Sequence, residues 1–161
     1  MNKLSTLAED TAALLRARGE TIVVAETSTG GFISSALLAV PGASSYYLGG
    51  TVIYTYESRK RLLGLSGSDV EGLRPMSEDM VMVFAHKAQA QFQSTWAIAE
   101  LGIAGPTGVP YGEAGSSVIG VAGPSPVAGL LQTGSADREA NMWQFAEHGL
   151  TLLHKAIVQA G

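Results

Sequence analysis

Three hydroxyl side chains follow a glutamate in one short stretch of the chain. Residues 25–31 read Ala-Glu-Thr-Ser-Thr-Gly-Gly, with hydroxyls at Thr27, Ser28 and Thr29. Hydroxyl groups donate hydrogen bonds and can act as nucleophiles, and glycines let a ligand approach the backbone closely. The stretch therefore has the residue types of a ligand-binding turn. For Glu26 two roles stay open: a general base beside the hydroxyls, or a buried acid that binds backbone at the turn.

This turn joins a predicted strand to a predicted helix. Residues 21–25 are a short β-branched run typical of a buried strand, and residues 32–39 carry apolar side chains at helical spacing. Because a helix N-terminus has unpaired N–H groups and partial positive charge, Gly30, Gly31 and the hydroxyls predict a phosphate or carboxylate site. The alternative is an ordinary capped turn, since Thr and Ser are also preferred helix N-caps.

A second glycine-rich segment follows another predicted strand. Residues 95–101 form that strand, and residues 102–108 read Gly-Ile-Ala-Gly-Pro-Thr-Gly. This spacing differs from the dinucleotide-binding Gly-x-Gly-x-x-Gly, and no phosphate-loop lysine follows a suitable glycine run. Open α/β sheets bind ligands at the carboxyl ends of their strands. We therefore expect both turns, and the segment after Tyr54, to surround one pocket.

Composition narrows the functional classes. The chain has 161 residues, 46% of them hydrophobic and 15% charged, which predicts a single globular domain over 1–161. A net charge of −4 argues against nucleic-acid and acidic-membrane partners, and the absence of Cys excludes disulfides, thiolate metal sites and a Cys nucleophile. His86, His148 and His154 lack metal-ligand spacing and are expected on helix surfaces, so no metal is expected.

The start of the chain and its apolar runs bear on location. Residues 1–4 lack the long apolar core of a signal peptide, and charged or glycine residues interrupt every apolar run before it reaches membrane-spanning length. We therefore expect a cytoplasmic protein.

Helical and strand patterns alternate along the chain, with two neighbouring strands late in it. This order predicts an α/β fold, a three-layer α/β/α sandwich with a mixed, mostly parallel sheet. Helices are expected to begin after the caps Ser77 and Asp137, and one to end at Gly19. The remaining predicted elements are strands over 46–54 and 117–122, an edge strand over 130–132, an exposed loop over 109–115 and a short helix over 57–65.

In order, the motifs resemble the carboxy-terminal domain of CinA over nearly the whole chain. The matching segments are residues 25–31, 40–45, 48–50, Tyr54, 61–64, 77–78, 102–106 and 137–139. The resemblance implies a nicotinamide mononucleotide deamidase, which hydrolyses a carboxamide to a carboxylate and releases ammonia. It further implies a Ser/Lys type of amide hydrolysis, a small-molecule nucleotide as ligand, no cofactor, no metal and a homo-oligomer. The companion domain of full-length CinA is not expected, because residue 1 almost abuts the first helix.

The resemblance also assigns roles by position. Thr27 takes the place of the nucleophilic Ser and Arg59 that of the Lys base, so the expected catalytic residues are Thr27, Tyr54 and Arg59. The expected substrate-binding residues are Ser28, Thr29, Gly30, Gly31, Gly102, Ala104, Gly105 and Arg138.

Three of these positions depart from the family pattern. The methyl group of Thr27 crowds attack, a guanidinium at Arg59 cannot accept a proton at neutral pH, and Leu101 replaces a hydroxyl. Lys60 is adjacent, but about 100° of helix rotation turns it elsewhere. Two alternatives to the amidase therefore stay open. One is a catalytically inactive or divergent nucleotide-binding or sensing domain, in which Arg59 clamps a phosphate or carboxylate instead of lying on a solvated face with Lys60 and Arg61. The other is a purely structural oligomeric scaffold.

Overall fold

The computed structural model describes residues 2–161, which form one sheet covered by helices on both faces. In chain order the elements are α1 (Lys3–Arg18), β1 (Ile22–Glu26), α2 (Phe32–Leu38), β2 (Tyr47–Val52), α3 (Tyr56–Leu63), α4 (Glu78–Phe92), β3 (Trp96–Ile103), β4 (Ser116–Ala122), β5 (Val127–Gln132) and α5 (Arg138–Ala160). Short 3-10 helices occupy Ala43–Ser45 and Gly67–Val70.

The sheet is mixed, as the sequence predicts. Its strand order is β2-β1-β3-β4-β5, with β1 parallel to both β2 and β3, and β4 antiparallel to both β3 and β5. Four strands therefore run in one direction and β4 alone is reversed. In register, Ala25 lies between Thr51 and Ala99. The segments that follow β1, β2, β3 and β5 consequently leave the same edge of the sheet.

Two hydrophobic clusters, one on each face, make the fold the predicted three-layer sandwich. On one face α1, α2 and α5 bury side chains such as Leu15, Ile33 and Leu153 against the strands. On the other face α4 and α3 bury Phe84 and Leu63. Strands buried on both faces read as continuous apolar runs rather than alternating ones, which is the pattern of β1, β3 and β4.

Local signals set the helix ends. Ser77 and Asp137 cap α4 and α5, as predicted, by accepting from the N–H groups of Met80 and Ala140. Gly19 ends α1 with φ +64°, a conformation that favours glycine. The observed strands and helices begin and end within three residues of the predicted positions.

Two histidines correct a sequence expectation. His86 is exposed, but His148 is half-buried beside Gly129, and within residues 2–161 its Nδ1 has no hydrogen-bond partner. Burial lowers the pKa of His148, and Lys155 adds to that shift. His154 is half-buried, with Nδ1 3.4 Å from Thr11 Oγ1. No helix within the described residues is both long and apolar enough to cross a membrane.

Two phenylalanines on α4 test which part of that helix stabilises the sheet. Phe84 is fully buried, whereas Phe92 is 42% exposed. We expect Phe84→Ala to lower the free energy of unfolding by about 3–5 kcal/mol, because it removes an aromatic ring from a closed core. Phe92→Ala is the matched control and should cost about 1 kcal/mol or less. Urea unfolding followed by circular dichroism measures both, and equal losses would contradict the assignment of the core.

Candidate functional site

The N-terminus of α2 is capped by the chain's own carboxylate. Glu26 is fully buried, and its Oε1 accepts from the N–H groups of Gly31 at 3.0 Å and Ile33 at 3.1 Å. Its Oε2 accepts from the Ser34 N–H at 3.0 Å and from Ser34 Oγ at 2.7 Å. The partial positive charge of the helix end is thereby balanced by the Glu26 carboxylate. Of the two roles left open for Glu26, the geometry is that of the buried acid.

The residues around this cap correct the expectation of a ligand anion at the helix end. Thr29 is fully buried, and its Oγ1 lies 2.6 Å from Glu26 Oε1 and 3.1 Å from Glu100 Oε2. The Gly30 N–H donates to the carbonyl of Thr27 at 3.1 Å. Since the Gly31 N–H is also occupied, Thr29, Gly30 and Gly31 direct these groups into the turn itself.

Glu100, on β3, is a second fully buried carboxylate. Its Oε2 accepts from the N–H groups of Thr27 at 2.9 Å and Thr29 at 3.2 Å, and Oε1 is hydrogen-bonded to the Ser28 hydroxyl. Burial raises the pKa of Glu100, and nearby Glu26 adds to the rise, whereas the hydrogen bonds from Ser28, Thr27 and Thr29 oppose it. Thr29 has one hydroxyl proton, so it can donate to only one of the two carboxylates at a time.

The segments after β1, β2 and β3 enclose an open cavity of about 450 Å³. All the sequence-predicted site residues except Thr29, Gly30 and Gly31 contribute to its wall. The lining residues are Thr27, Ser28, Tyr54, Thr55, Tyr56, Arg59, Gly102, Ile103, Ala104, Gly105, Thr107, Val109, Tyr111 and Arg138. The predicted loop over 109–115 is thus part of the cavity.

Arg59 turns into the cavity rather than lying on a solvated helix face. Its Nε donates to the Ile53 carbonyl at 3.3 Å, and its Cζ lies 5.2 Å from the ring centroid of Tyr56 and 5.3 Å from that of Phe84. The neighbouring Lys60 is exposed, in agreement with the expectation that it faces elsewhere. Burial lowers the pKa of Arg59, whereas the nearby Tyr56, Tyr111 and Glu100 oppose that shift.

Arg138, the first residue of α5, also reaches the cavity. Its Nη1 donates to the carbonyl of Gly105, and its Nη2 donates to Tyr54 Oη at 3.2 Å. Within residues 2–161 neither Arg59 nor Arg138 forms an ion pair, and no carboxylate side chain lines the cavity. In a protein of net charge −4, two arginines outside any ion pair thus line one cavity, an arrangement that favours an anionic ligand.

A buried amide fixes the Arg138 side of the cavity. Asn141 Nδ2 donates to the carbonyls of Ala104 at 2.8 Å and Ser135 at 2.9 Å, and its Oδ1 accepts from Thr133 Oγ1 at 2.6 Å. These bonds tie α5 to the loops after β3 and β5, so the position of Arg138 follows from that of the strands. Leu101, the third family departure, packs in the core on the α4 face and touches a small side cavity that it shares with Arg59.

Sequence reasoning missed Glu100 as a site residue, along with Tyr56 and Tyr111. The signal for Glu100 was present, because it is an acid inside an apolar strand, where charge is retained only with partners. The two tyrosines, 76% and 51% exposed, carried no periodic signal that separates them from surface aromatics. No group of three or more metal-ligating side chains occurs in the described part of the chain.

The class of protein follows from this geometry: an α/β sandwich domain with a small-molecule cavity at the carboxyl ends of its parallel strands, lined by arginines and hydroxyls. Comparison with known proteins then gives the family. Residues 4–157 match the model of the CinA C-terminal domain, and the chain belongs to that family.

Relatives and solved structures agree with this assignment. A CinA-like protein of Anaeromyxobacter sp. (strain K) is 34% identical over 94% of this chain and 37% of its own length. A CinA-like protein of Prochlorococcus marinus (strain MIT 9313) is 42% identical over 69% of this chain and 26% of its own length. The chain thus spans less than two fifths of these relatives. Crystal structures of a CinA superfamily protein from Klebsiella pneumoniae and of a competence or damage-inducible protein from Enterobacter asburiae have TM-scores of 0.89 and 0.88, at 24% and 26% identity. They cover 99% and 98% of this chain, and this chain covers 99% of each of them.

The raised pKa of Glu100 predicts a pH-dependent stability. The folded state favours the protonated form of Glu100. The stability that this protonation contributes is therefore fully present below the unfolded pKa of about 4.3 and is lost as pH rises through the pKa of the folded state. Glu100→Gln mimics the protonated acid, and we expect its melting temperature to rise relative to the unmodified protein as the pH increases. Exposed Glu71→Gln is the control. Melting curves between about pH 5 and 9 measure the difference, and a constant difference for Glu100→Gln would contradict this reasoning.

Proposed function

We propose that this domain binds a pyridine nucleotide of the nicotinamide mononucleotide type and hydrolyses its carboxamide to a carboxylate, releasing ammonia. The observation that carries the proposal is the cavity itself. It combines two arginines without acidic partners with a hydroxyl-bearing turn, Thr27 and Ser28, at the same edge of the sheet. A mononucleotide requires a cationic site for its phosphate, and amide hydrolysis requires a nucleophile.

The sequence resemblance and the cavity support the same ligand class independently. The CinA C-terminal family match covers residues 4–157, and the cavity volume of about 450 Å³ lies in the range of small-molecule sites. Tyr56 and Tyr111 present exposed aromatic surface at the rim, which suits a planar ring. A phosphate bound by Arg59 would relieve the cost of holding that partly buried guanidinium without an anion.

A second candidate is a nucleotide-binding or sensing domain without turnover. It is favoured by one observation, the arginine at position 59, where the resemblance places a lysine base, because a guanidinium cannot accept a proton at neutral pH. Both candidates need the same binding cavity. They differ only in whether bound nucleotide is consumed.

The first experiment is ammonia release from the purified chain given nicotinamide mononucleotide, with the product identified as the nicotinate nucleotide. We expect turnover, together with a rise in melting temperature in the presence of the product, because a ligand that binds only the folded state stabilises it. A melting shift without ammonia would select the sensing domain. Neither turnover nor a shift would contradict both candidates and leave the structural scaffold.

Two arginines on the same helix test the anion site. Arg59 lines the cavity, whereas Arg61 is exposed and pairs with Glu57. We expect Arg59→Gln to weaken nucleotide binding by about 10- to 100-fold, because a charge-assisted hydrogen bond contributes about 1.5–3 kcal/mol. Arg61→Gln should change affinity by less than about twofold. Isothermal titration with the nicotinate nucleotide measures both, and equal effects would argue against a phosphate at Arg59.

A further inference from the structure

We propose that Ser28, rather than Thr27, is the attacking hydroxyl and that the Glu100 carboxylate accepts its proton. The inference rests on the proposed amide hydrolysis and names the chemical groups that carry it out. It replaces the Ser/Lys arrangement implied by the resemblance with a Ser–Glu pair assembled from the β1–α2 turn and strand β3.

The hydrogen bonds distinguish the two hydroxyls. Ser28 lines the cavity, and its Oγ is bonded directly to Glu100 Oε1, a carboxylate oxygen that has no other partner among the described residues. Thr27 Oγ1 lies 3.4 Å from Oε2, which already accepts from two backbone N–H groups. A nucleophile needs a base within hydrogen-bond reach, and Ser28 meets that requirement better.

A glycine makes the close approach of this pair possible. A Cβ at Gly102 would overlap Ser28 Oγ and Glu100 Oε1 and would lie 3.0 Å from the Phe145 ring. The missing side chain therefore leaves the space that the hydroxyl and the carboxylate occupy when they pair. Gly102 is therefore needed for this close approach. The turn that follows has glycines of its own.

Within residues 2–161 the cavity wall itself supplies no imidazole, amine or carboxylate base. The lining residues include no His, Lys, Asp or Glu, and the two arginines cannot accept a proton. Glu100, reached through Ser28, is the one carboxylate in contact with a cavity hydroxyl in the part of the chain described.

The electrostatics around Glu100 suit a base. Burial raises the pKa of Glu100, so its ionised form binds a proton more strongly than an ordinary glutamate does. Two charged groups face it: Glu26 on β1, which adds to the rise, and the Arg59 guanidinium on α3, which attracts the carboxylate. The rate should consequently increase as pH rises through a value above the usual range of a glutamate.

The steps balance without any further reactant than water. Ser28 Oγ forms a bond to the carboxamide carbon while its proton moves to Glu100. The carbon–nitrogen bond then breaks, and the proton from Glu100 leaves with the amine as ammonia. Water attacks the resulting ester and gives a proton to Glu100. When the carbon–oxygen bond to Ser28 breaks, that proton returns to the serine, and the product is a carboxylic acid that ionises in water.

The decisive experiment compares hydroxyl variants of the same turn. With nicotinamide mononucleotide we expect Ser28→Ala to lower kcat by at least about 10³-fold, and Thr27→Ala by less than about tenfold. Ser125→Ala, at a partly exposed serine in the turn between β4 and β5, is the serine control. Product affinity, measured by titration, should be retained in Ser28→Ala, which shows that the variant is folded.

Two further measurements test Glu100 and the intermediate. Glu100→Gln keeps a hydrogen bond to Ser28 but cannot accept a proton, so kcat should fall by about 10²- to 10⁴-fold and lose its rise with pH. Acid quenching of the unmodified protein during turnover should leave a nicotinate-nucleotide ester, which peptide fragmentation by mass spectrometry places on Ser28.

The outcomes separate this inference from the proposed function. Turnover that survives Ser28→Ala but is lost in Thr27→Ala, or an ester on Thr27, would overturn the Ser–Glu pair and leave the amidase standing. Binding of the nucleotide without ammonia release by the unmodified protein would overturn the proposed reaction and the pair together. An ester on Ser28 whose formation is unaffected by Glu100→Gln would overturn the role of Glu100 alone.

Discussion

Two fully buried carboxylates, Glu26 and Glu100, organise the turn after β1. They lie on adjacent parallel strands, and the single hydroxyl of Thr29 sits between them. Burying either charge without hydrogen bonds would cost several kcal/mol, so the chain supplies donors from residues 27, 28, 29, 31, 33 and 34. The conformation of the turn is the one that satisfies both acids at once.

The burial of these two carboxylates determines which groups of the cavity can bind an anion. The amides that would otherwise bind an anion at the start of α2 are occupied by Glu26, so the anionic ligand we propose must find its cations elsewhere. Arg59 and Arg138 supply them from helices α3 and α5, which follow β2 and β5 at the same edge of the sheet. Negative charge is thus buried behind the turn and positive charge faces the cavity, which orients an anion toward the arginines.

The sequence predicted most of the fold because each layer carries its own pattern. Apolar runs such as residues 22–25 and 96–99 indicate strands buried on both faces, and Ser77 and Asp137 mark helix starts. The common edge of the strands then brought eight of the eleven predicted site residues to the cavity wall. The other three, Thr29, Gly30 and Gly31, do not line the cavity, for a reason that local pattern cannot supply: which acceptor takes the amides of Gly31 and its neighbours depends on how Glu26 is buried.

Glu100 shows a second limit of sequence reasoning and connects the departures from the family pattern. Its position in an apolar strand signals a partnered charge, but its partners, Thr27, Ser28 and Thr29, lie more than 70 residues away in the chain. In the sequence, the arginine at position 59 and the acid at position 100 are therefore unrelated observations. In the structure, Arg59 lines the same cavity as Ser28, whose hydroxyl is bonded to Glu100. A guanidinium keeps its charge at neutral pH, whereas a carboxylate can accept and return a proton. We propose that in this domain Arg59 holds the ligand and Glu100 moves the proton, whereas the resemblance assigns the proton transfer to a lysine.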